Sequence, residues 1–335
     1  MANVSGEAAS RRSVDLGWRV AGMVVRQREA SILVVAIALS IYFGLSSSDF
    51  FTKQNFQTLT EFGAPVAIIA AGEVMLLICG EIDLSVGNTF ALSAWVMYFA
   101  TQDGVPILLA VVIGLLAAAL VGLANGVITV IVGVPSFITT LGMLFVLNGF
   151  VLIRSHGFPV TTPGGHTFSE FFGVHPYATF YWAIGVVVVM HFLLRRMRWG
   201  LHTVAAGGNL LGAAESGVNV RAVKIGNFVL CAVLGGLAGI LESVRIASID
   251  PLQGGTTIMF SAVAAAVIGG TSLMGGSGTV LGALIGVAVL SILTDGFTIL
   301  GVNAYYFFLV QGVAIFVAMI LNIQLLRLKR VGRLQ

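Results

Sequence analysis

The sequence predicts an all-α polytopic membrane protein with about ten transmembrane helices. Three observations carry that prediction: many apolar residues with few charges, a series of apolar runs of membrane-crossing length, and basic residues crowded into alternate connections. Of 335 residues, 58% are hydrophobic and only 9% are charged, whereas a soluble domain carries about a quarter charged residues. A soluble fold of this size lacks the interior to bury so much apolar surface, so the solvent of this chain is a lipid bilayer. Glycine, at 42 residues, suits helices packed closely through small residues in lipid.

The apolar runs lie at 30–46, 62–79, 86–101, 105–132, 136–153, 177–194, 225–244, 258–274, 279–297 and 305–325. Each is about long enough to cross the hydrocarbon as a helix. In the fourth run Gly122, Gly126 and Gly133 allow a break. An even number of spans returns both termini to one face, and both termini are basic. Arg11, Arg12, Arg19, Arg26 and Arg28 precede the first run, and Arg327, Lys329, Arg330 and Arg333 follow the last. The middle connection holds Arg195, Arg196, Arg198, Arg221 and Lys224. These three segments contain fourteen of the seventeen basic residues, and on the positive-inside rule all three are cytoplasmic.

The expected organisation is therefore a cytoplasmic tail at 1–28, one membrane domain at 29–325 with a cytoplasmic connection at 195–224, and a second cytoplasmic tail at 326–335. The first tail is polar and Arg-rich and runs into a full-length span without a small-residue cleavage site, so it reads as retained. The net charge of +3 reflects this topology and is no footprint of nucleic acid. Segments assigned outside are mildly acidic, with Asp49, Glu61, Asp103, Glu170 and Asp250. The longest, 154–176, contains His166 and His175, which without a cysteine nearby read as surface residues and not as a metal site. Cys79 and Cys231 lie inside apolar runs and read as small core residues. No cofactor is expected.

The most informative stretch is Gly80-Glu81-Ile82-Asp83-Leu84-Ser85-Val86-Gly87, which sets two carboxylates beside helix-breaking glycines between two apolar runs. Charge at the edge of a bilayer faces protein, water or a helix end. One reading is a capped turn, with Asp83 accepting the free N–H groups of the third span. The other is a break in the helices that line a translocation path, as discontinuous helices do in transporters.

This stretch resembles the signature of the membrane permeases of ribose-type ABC sugar importers. The resemblance runs over roughly 50–325 and continues in order. It takes in Asn125-Gly126, then Val134-Pro135-Ser136-Phe137-Ile138-Thr139-Thr140-Leu141-Gly142, then Asn148-Gly149. Gly207-Gly208-Asn209 and Ser216-Gly217-Val218-Asn219-Val220 follow, then Ile268-Gly269-Gly270-Thr271-Ser272-Leu273-Met274-Gly275-Gly276-Ser277-Gly278-Thr279, then Gly301-Val302. Two places depart from the family pattern. Leu210-Leu211-Gly212 stands where an acidic residue and two alanines often follow the asparagine, and Met259, Phe260 and Ser261 precede Ala262-Val263-Ala264-Ala265 without the usual acidic pair.

The resemblance implies an ABC importer permease fold. It also implies a second permease copy, two cytoplasmic ATPase subunits and a periplasmic sugar-binding protein. In the family, the position of 195–224 holds a short coupling helix that docks on the ATPase, which points to Gly207, Gly208, Asn209, Ser216 and Gly217. Glu73, Asp83, Ser85, Asn125, Thr139 and Thr140 are the candidates for the path or the helix break, and Asn148 and Asn303 are further hydroxyl-binding side chains. The glycine-rich run at 269–278 is no phosphate loop, because it has no lysine and is flanked by membrane segments. The ATPase is then a separate chain, and no acid–base pair for enzyme chemistry is set by the spacing. Two rivals stand beside this reading. One is an ion-coupled secondary transporter with Glu73, Asp83 or Glu242 as relay; the other is an ABC permease for a branched-chain amino acid or a nucleoside.

The topology is testable by labelling. In a variant with Cys79 and Cys231 replaced, a cysteine introduced by Gly165→Cys should react with a membrane-impermeant maleimide in intact cells. Reaction only after permeabilisation would invert the assignment.

Overall fold

The computed structural model describes residues 28–303 and, beyond them, 305–307, 309–313, 316–317 and 320. Both predicted tails and much of the tenth apolar run lie outside the described residues. The chain is a helical polytopic membrane protein: among the described residues, seven helices are long and apolar enough to cross a bilayer.

Helix α1 spans Arg28–Ser46, with Glu29 in its first turn, where a carboxylate suits the helix dipole. Helix α2 spans Lys53–Ile78 and starts at Thr52, whose hydroxyl accepts from the Asn55 amide at 3.2 Å. Helix α3 spans Val86–Gln102. Helix α4 begins after Pro106 at Ile107, runs to Val127, and widens into a π-helical turn over Ile128–Val132. It does not break at Gly122 or Gly126, as the sequence allowed. It stops at Gly133, whose φ of 89° ends the helix one residue before Val134-Pro135. Helix α5 follows over Ser136–Ser155.

The connection after α5 carries a two-residue strand β1, Val160–Thr161, a single turn α6 at His166–Ser169, and a π-helical turn at Glu170–Val174. Helix α7 spans Ala178–Arg196. The predicted cytoplasmic connection is itself helical: α8 covers Arg198–Gly208 and α9 covers Leu210–Glu215. Then come α10 at Val220–Arg245, β2 at Ser248–Ile249, α11 at Gly255–Ile268 and α12 at Val280–Ile299. Strands β1 and β2 pair antiparallel, Val160 with Ile249 and Thr161 with Ser248.

Nine of the ten predicted apolar runs coincide with helices. Two of them, α3 at 17 residues and α11 at 14, are shorter than the seven membrane-length helices. The run predicted over 258–274 ends at Ile268, because the following residues turn back on themselves, with Gly270, Gly275 and Gly276 all at positive φ.

The core is built around α2 and α10, the most enclosed of the spanning helices. Helix α10 packs against α2, α3 and α4, and α12 packs against α1, α2 and α11. Leu76, Phe90, Phe228, Ile240 and Leu241 are fully buried between them. The opposite faces carry exposed Leu33, Leu116, Phe145 and Val189, the outward apolar surface that lipid requires. At the far end of α10, Arg245 donates to both oxygens of Glu242 at 2.7 and 2.8 Å and to Glu61 of α2 at 3.0 Å. Glu242 is therefore held in an ion-pair network at the helix end and does not stand as a free carboxylate within the span.

Helix packing rests on backbone contact. A Cβ on Gly239 would sit 2.0 Å from the Phe90 carbonyl oxygen, so α10 and α3 meet at a separation only glycine permits. Gly239→Ala should lower the melting temperature of the detergent-purified protein, at a cost of roughly 1–3 kcal/mol for forced separation. Gly149→Ala, where nothing lies within 4 Å, should be neutral or stabilise by up to about 1 kcal/mol through helix propensity.

Candidate functional site

The stretch between α2 and α3 is a break stabilised from within. Helix α2 closes with the Gly80 amide bonded to the Leu77 carbonyl at 2.9 Å and the Glu81 amide bonded to the Leu76 carbonyl at 3.0 Å. Gly80 has a φ of 76°. That is the Schellman ending, which calls for glycine at the left-handed position.

Beyond it the chain passes through a wholly buried polar knot. One carboxylate oxygen of Asp83 accepts from the Ser85 amide at 2.8 Å and from the Ser85 hydroxyl at 2.6 Å. The Asn125 side chain, from α4, donates to the Ser85 hydroxyl oxygen at 2.8 Å and lies 3.4 Å from both Asp83 oxygens. All three residues are buried. The expected cap thus takes a different form. Asp83 satisfies the turn into α3, and within the first turn of the helix the Asn88 and Thr89 amides bond to the Ser85 carbonyl. A buried carboxylate is costly unless it is hydrogen-bonded, and these donors meet that cost.

The other predicted residues divide. Ser136 and Thr140 of α5 flank the break: the Ile82 amide lies 3.4 Å from the Ser136 hydroxyl, and Thr140 donates to the Ser136 carbonyl at 2.8 Å and lies 3.5 Å from the Ile82 carbonyl. Thr139 turns to Val134 of its own segment. Glu73 sits inside α2, fully buried and close enough to Asp83 to interact with it; the Cys231 thiol faces one of its oxygens at 3.6 Å. The second Glu73 oxygen and the Asn125 carbonyl oxygen have no hydrogen-bond partner among the described residues.

A contact missed in the sequence joins the break to α10: Lys224 pairs with Glu81, both largely enclosed. Its signal was there, opposite charges at the same-side ends of the runs 62–79 and 225–244, but the basic residue had been read only as a topology marker.

The candidate coupling residues occupy an elbow. Asn209 ends α8 and caps α9 by accepting from the Gly212 amide at 3.0 Å. Ser216 closes α9, with its hydroxyl donating to the Gly212 carbonyl at 2.7 Å, and Gly217 follows at a φ of 84° with open space around it. Gly207 faces inward, while Gly208 is exposed and only its backbone lies beside Gly276. A Cβ on Gly207 would meet the Ile78 carbonyl, which already accepts from the Gly276 amide at 2.8 Å. Their close backbone approach is therefore to the chain's own α2 and to the turn after α11. Leu210 and Leu211 of α9 are exposed, Leu211 at 73%.

His166 approaches Glu170 at 3.7 Å. Among the described residues no group of three or more histidine, cysteine or acidic side chains is placed to hold a metal. What the site offers is hydrogen-bonding groups in a helix break, an ion pair between Lys224 and Glu81 at its edge, and a close backbone link from that break to α8.

Comparison with known proteins extends this picture. The family model described as branched-chain amino acid transport system / permease component matches residues 55–319. The chain is 39% identical over 306 residues to the xylose/arabinose import permease protein XylH of Sulfolobus acidocaldarius, covering 89% of this chain and 86% of that one. It is 35% identical over 320 residues to the ribose import permease protein RbsC of Escherichia coli, covering 94% and 97%. It is 33% identical over 291 residues to the ribose import permease protein of Bacillus subtilis, covering 85% and 89%. No solved structure matches the chain.

Asp83→Ala would leave the Ser85 amide and the Ser85 hydroxyl without their acceptor, a loss of about 1–3 kcal/mol. Asp83→Asn retains one acceptor oxygen and should lose less. Thermal unfolding of the purified proteins in detergent checks the order. An alanine variant as stable as the wild type would mean that the knot does not hold the break.

Proposed function

The chain belongs to the family of branched-chain amino acid transport system permease components, and from that membership we propose that it is the membrane-spanning subunit of an ATP-driven importer for a monosaccharide or related polyol. The observation that carries the cargo is its similarity, over most of both chains, to permeases named for ribose and for xylose and arabinose. Such a permease works with ABC ATPase subunits on the cytoplasmic side and a periplasmic sugar-binding protein outside. The path lies between two permease copies, whether identical or merely similar. About ten spans with both termini cytoplasmic complete the proposed topology: 1–28 and 326–335 as tails, 29–325 as the membrane domain, in the bacterial inner membrane.

The mechanism follows from the link between elbow and break. ATP-driven closure of the ATPase pair moves α8 and α9. Their inward face touches the Ile78 carbonyl at the end of α2, so the displacement arrives where the chain passes through Asp83, Ser85 and Asn125. The break then alternates access between the two sides. Asp83, Ser85, Asn125 and Thr140 hold the break together as its buried polar core, Glu73 and Thr139 support it, and Asn209, Ser216 and Gly217 shape the docking elbow. Gly207 and Gly208 pass the motion inward.

The ion-coupled reading finds less support. Glu242 is engaged by Arg245, and Asp83 is engaged by Ser85 and Asn125, so two of the three candidate relay carboxylates are tied up in hydrogen bonds, and Glu73 alone keeps an oxygen without a partner among the described residues. A branched-chain amino acid or nucleoside cargo is disfavoured by the named sugar relatives.

Leu211→Glu puts a charge on the exposed crest of α9 without touching the core. The variant should express and insert normally, yet fail to retain the ATPase on co-purification and fail to take up sugar. Uptake by the purified chain alone, driven by an imposed proton or sodium gradient, would overturn the proposal.

A further inference from the structure

A cavity of about 470 Å³ opens between the π-helical turn that ends α4, helix α9, the first turn of α10 and Glu81. It is separate from the polar knot around Asp83, and nothing in the transport reading uses it. Its lining has an uneven chemistry. Arg221 and Lys224 bring two cations from the first turns of α10, a helix of 26 residues whose positive end is at this point. Glu81 is the lone carboxylate, and it is paired with Lys224. Arg221 is exposed and makes no ion pair or hydrogen bond among the described residues. Thr129 is only 9% exposed, yet its hydroxyl has no hydrogen-bond partner among the described residues and the residue lines the same cavity.

A buried hydroxyl without an acceptor, an unpaired guanidinium and the start of a long helix all favour one kind of occupant, an oxyanion with several acceptor oxygens. Carboxylates offer two such oxygens in a plane. A phosphoryl group offers them on several sides, matching donors that approach from α4 and from α10. We propose that this cavity binds a phosphoryl group, a phosphate monoester or diester, through Arg221, Lys224 and the Thr129 hydroxyl.

The group comes from an anionic phospholipid or from a soluble phosphate ester. The lipid source is favoured by continuity, because Ile131 and Val132, in the π-helical turn beside Thr129, are exposed and extend the apolar outer surface to the cavity. Assigning that lipid to the cytoplasmic leaflet rests on the proposed topology; the phosphoryl chemistry does not. Occupancy also has a consequence for the break. A bound anion competes with Glu81 for Lys224, and Glu81 lies two residues before Asp83.

Native mass spectrometry of the full-length permease in neutral detergent tests the site without ATPase or sugar. A failure here therefore leaves the importer reading untouched, and a failure of that reading leaves this one standing. The probes are phosphatidylglycerol, diacylglycerol and glycerol 3-phosphate. Wild-type protein should retain phosphatidylglycerol and not diacylglycerol. Arg221→Gln should weaken retention about tenfold, the loss of one charge-assisted hydrogen bond. Thr129→Val, isosteric in a buried site, should weaken it in the same direction, with melting temperatures recorded to show that both variants are folded. Binding of glycerol 3-phosphate with no retention of phosphatidylglycerol would keep the phosphoryl site and assign it to a soluble ester. Equal retention of diacylglycerol, absence of binding by either phosphorylated probe, or unchanged binding in both folded variants would overturn it.

Discussion

The carbonyl of Ile78 is where three segments far apart in sequence meet. It ends α2, accepts a hydrogen bond from the Gly276 amide at 2.8 Å, and lies against the backbone of Gly207 so closely that no side chain fits between. A backbone carbonyl at a helix end needs a donor when it is buried. Supplying that donor from the turn after α11 fixes the turn against α2, and the glycine at the end of α8 can then press on the same spot. The break at Gly80–Ser85, the elbow at Asn209 and the 269–278 turn are thereby held in one register. The glycine-rich run serves this junction: its backbone must come near other backbone, and phosphate has no part in that geometry.

Around this junction the interior is polar where the chain is irregular and apolar where it is helical. Asp83, Ser85 and Asn125 bond to one another in a buried place, with only the Asn125 carbonyl oxygen left without a partner among the described residues. Such a knot rigidifies when complete and destabilises when one partner is lost. At the opposite end of α10, Arg245 ties Glu242 to Glu61, and the β1–β2 ladder brings the 156–177 segment over the same helix end. Helix α10 is thus clamped at both ends by charge, by Lys224 at one and Arg245 at the other. Between those clamps it meets its neighbours through glycine.

The sequence was legible wherever a property is local or one-dimensional. Run lengths located the helices, and the clustering of Arg195, Arg196 and Arg198 marked a connection outside the hydrocarbon. Gly80 and Asp83 announced a helix break. What pairs across the fold was not legible. Asn125 stood out as a polar residue in an apolar run, but its partner Ser85 lies forty positions away and no period links them. Lys224 was counted for its charge, while its contact with Glu81 depends on how α2 and α10 pack. Gly207 stands among the candidate coupling residues, and its backbone meets the chain's own α2, a contact that spacing alone does not reveal. Glu242 looked like a membrane-embedded acid because Arg245, three residues on, fell at the edge of the apolar run.

Mechanical stiffness is the remaining consequence of the way α8 is attached. Trp199 donates to Asn227 of α10 at 2.7 Å, and the Asn227 amide in turn reaches Thr203 and Cys79 at 3.1 Å each. One buried amide therefore rivets α8, α10 and the end of α2 together. A load applied at α9 meets a stiff strut on its inward side and has only the short Asn209 linkage in which to dissipate. With so little compliance, displacement is conserved along the strut, much as a pushrod delivers travel to a valve.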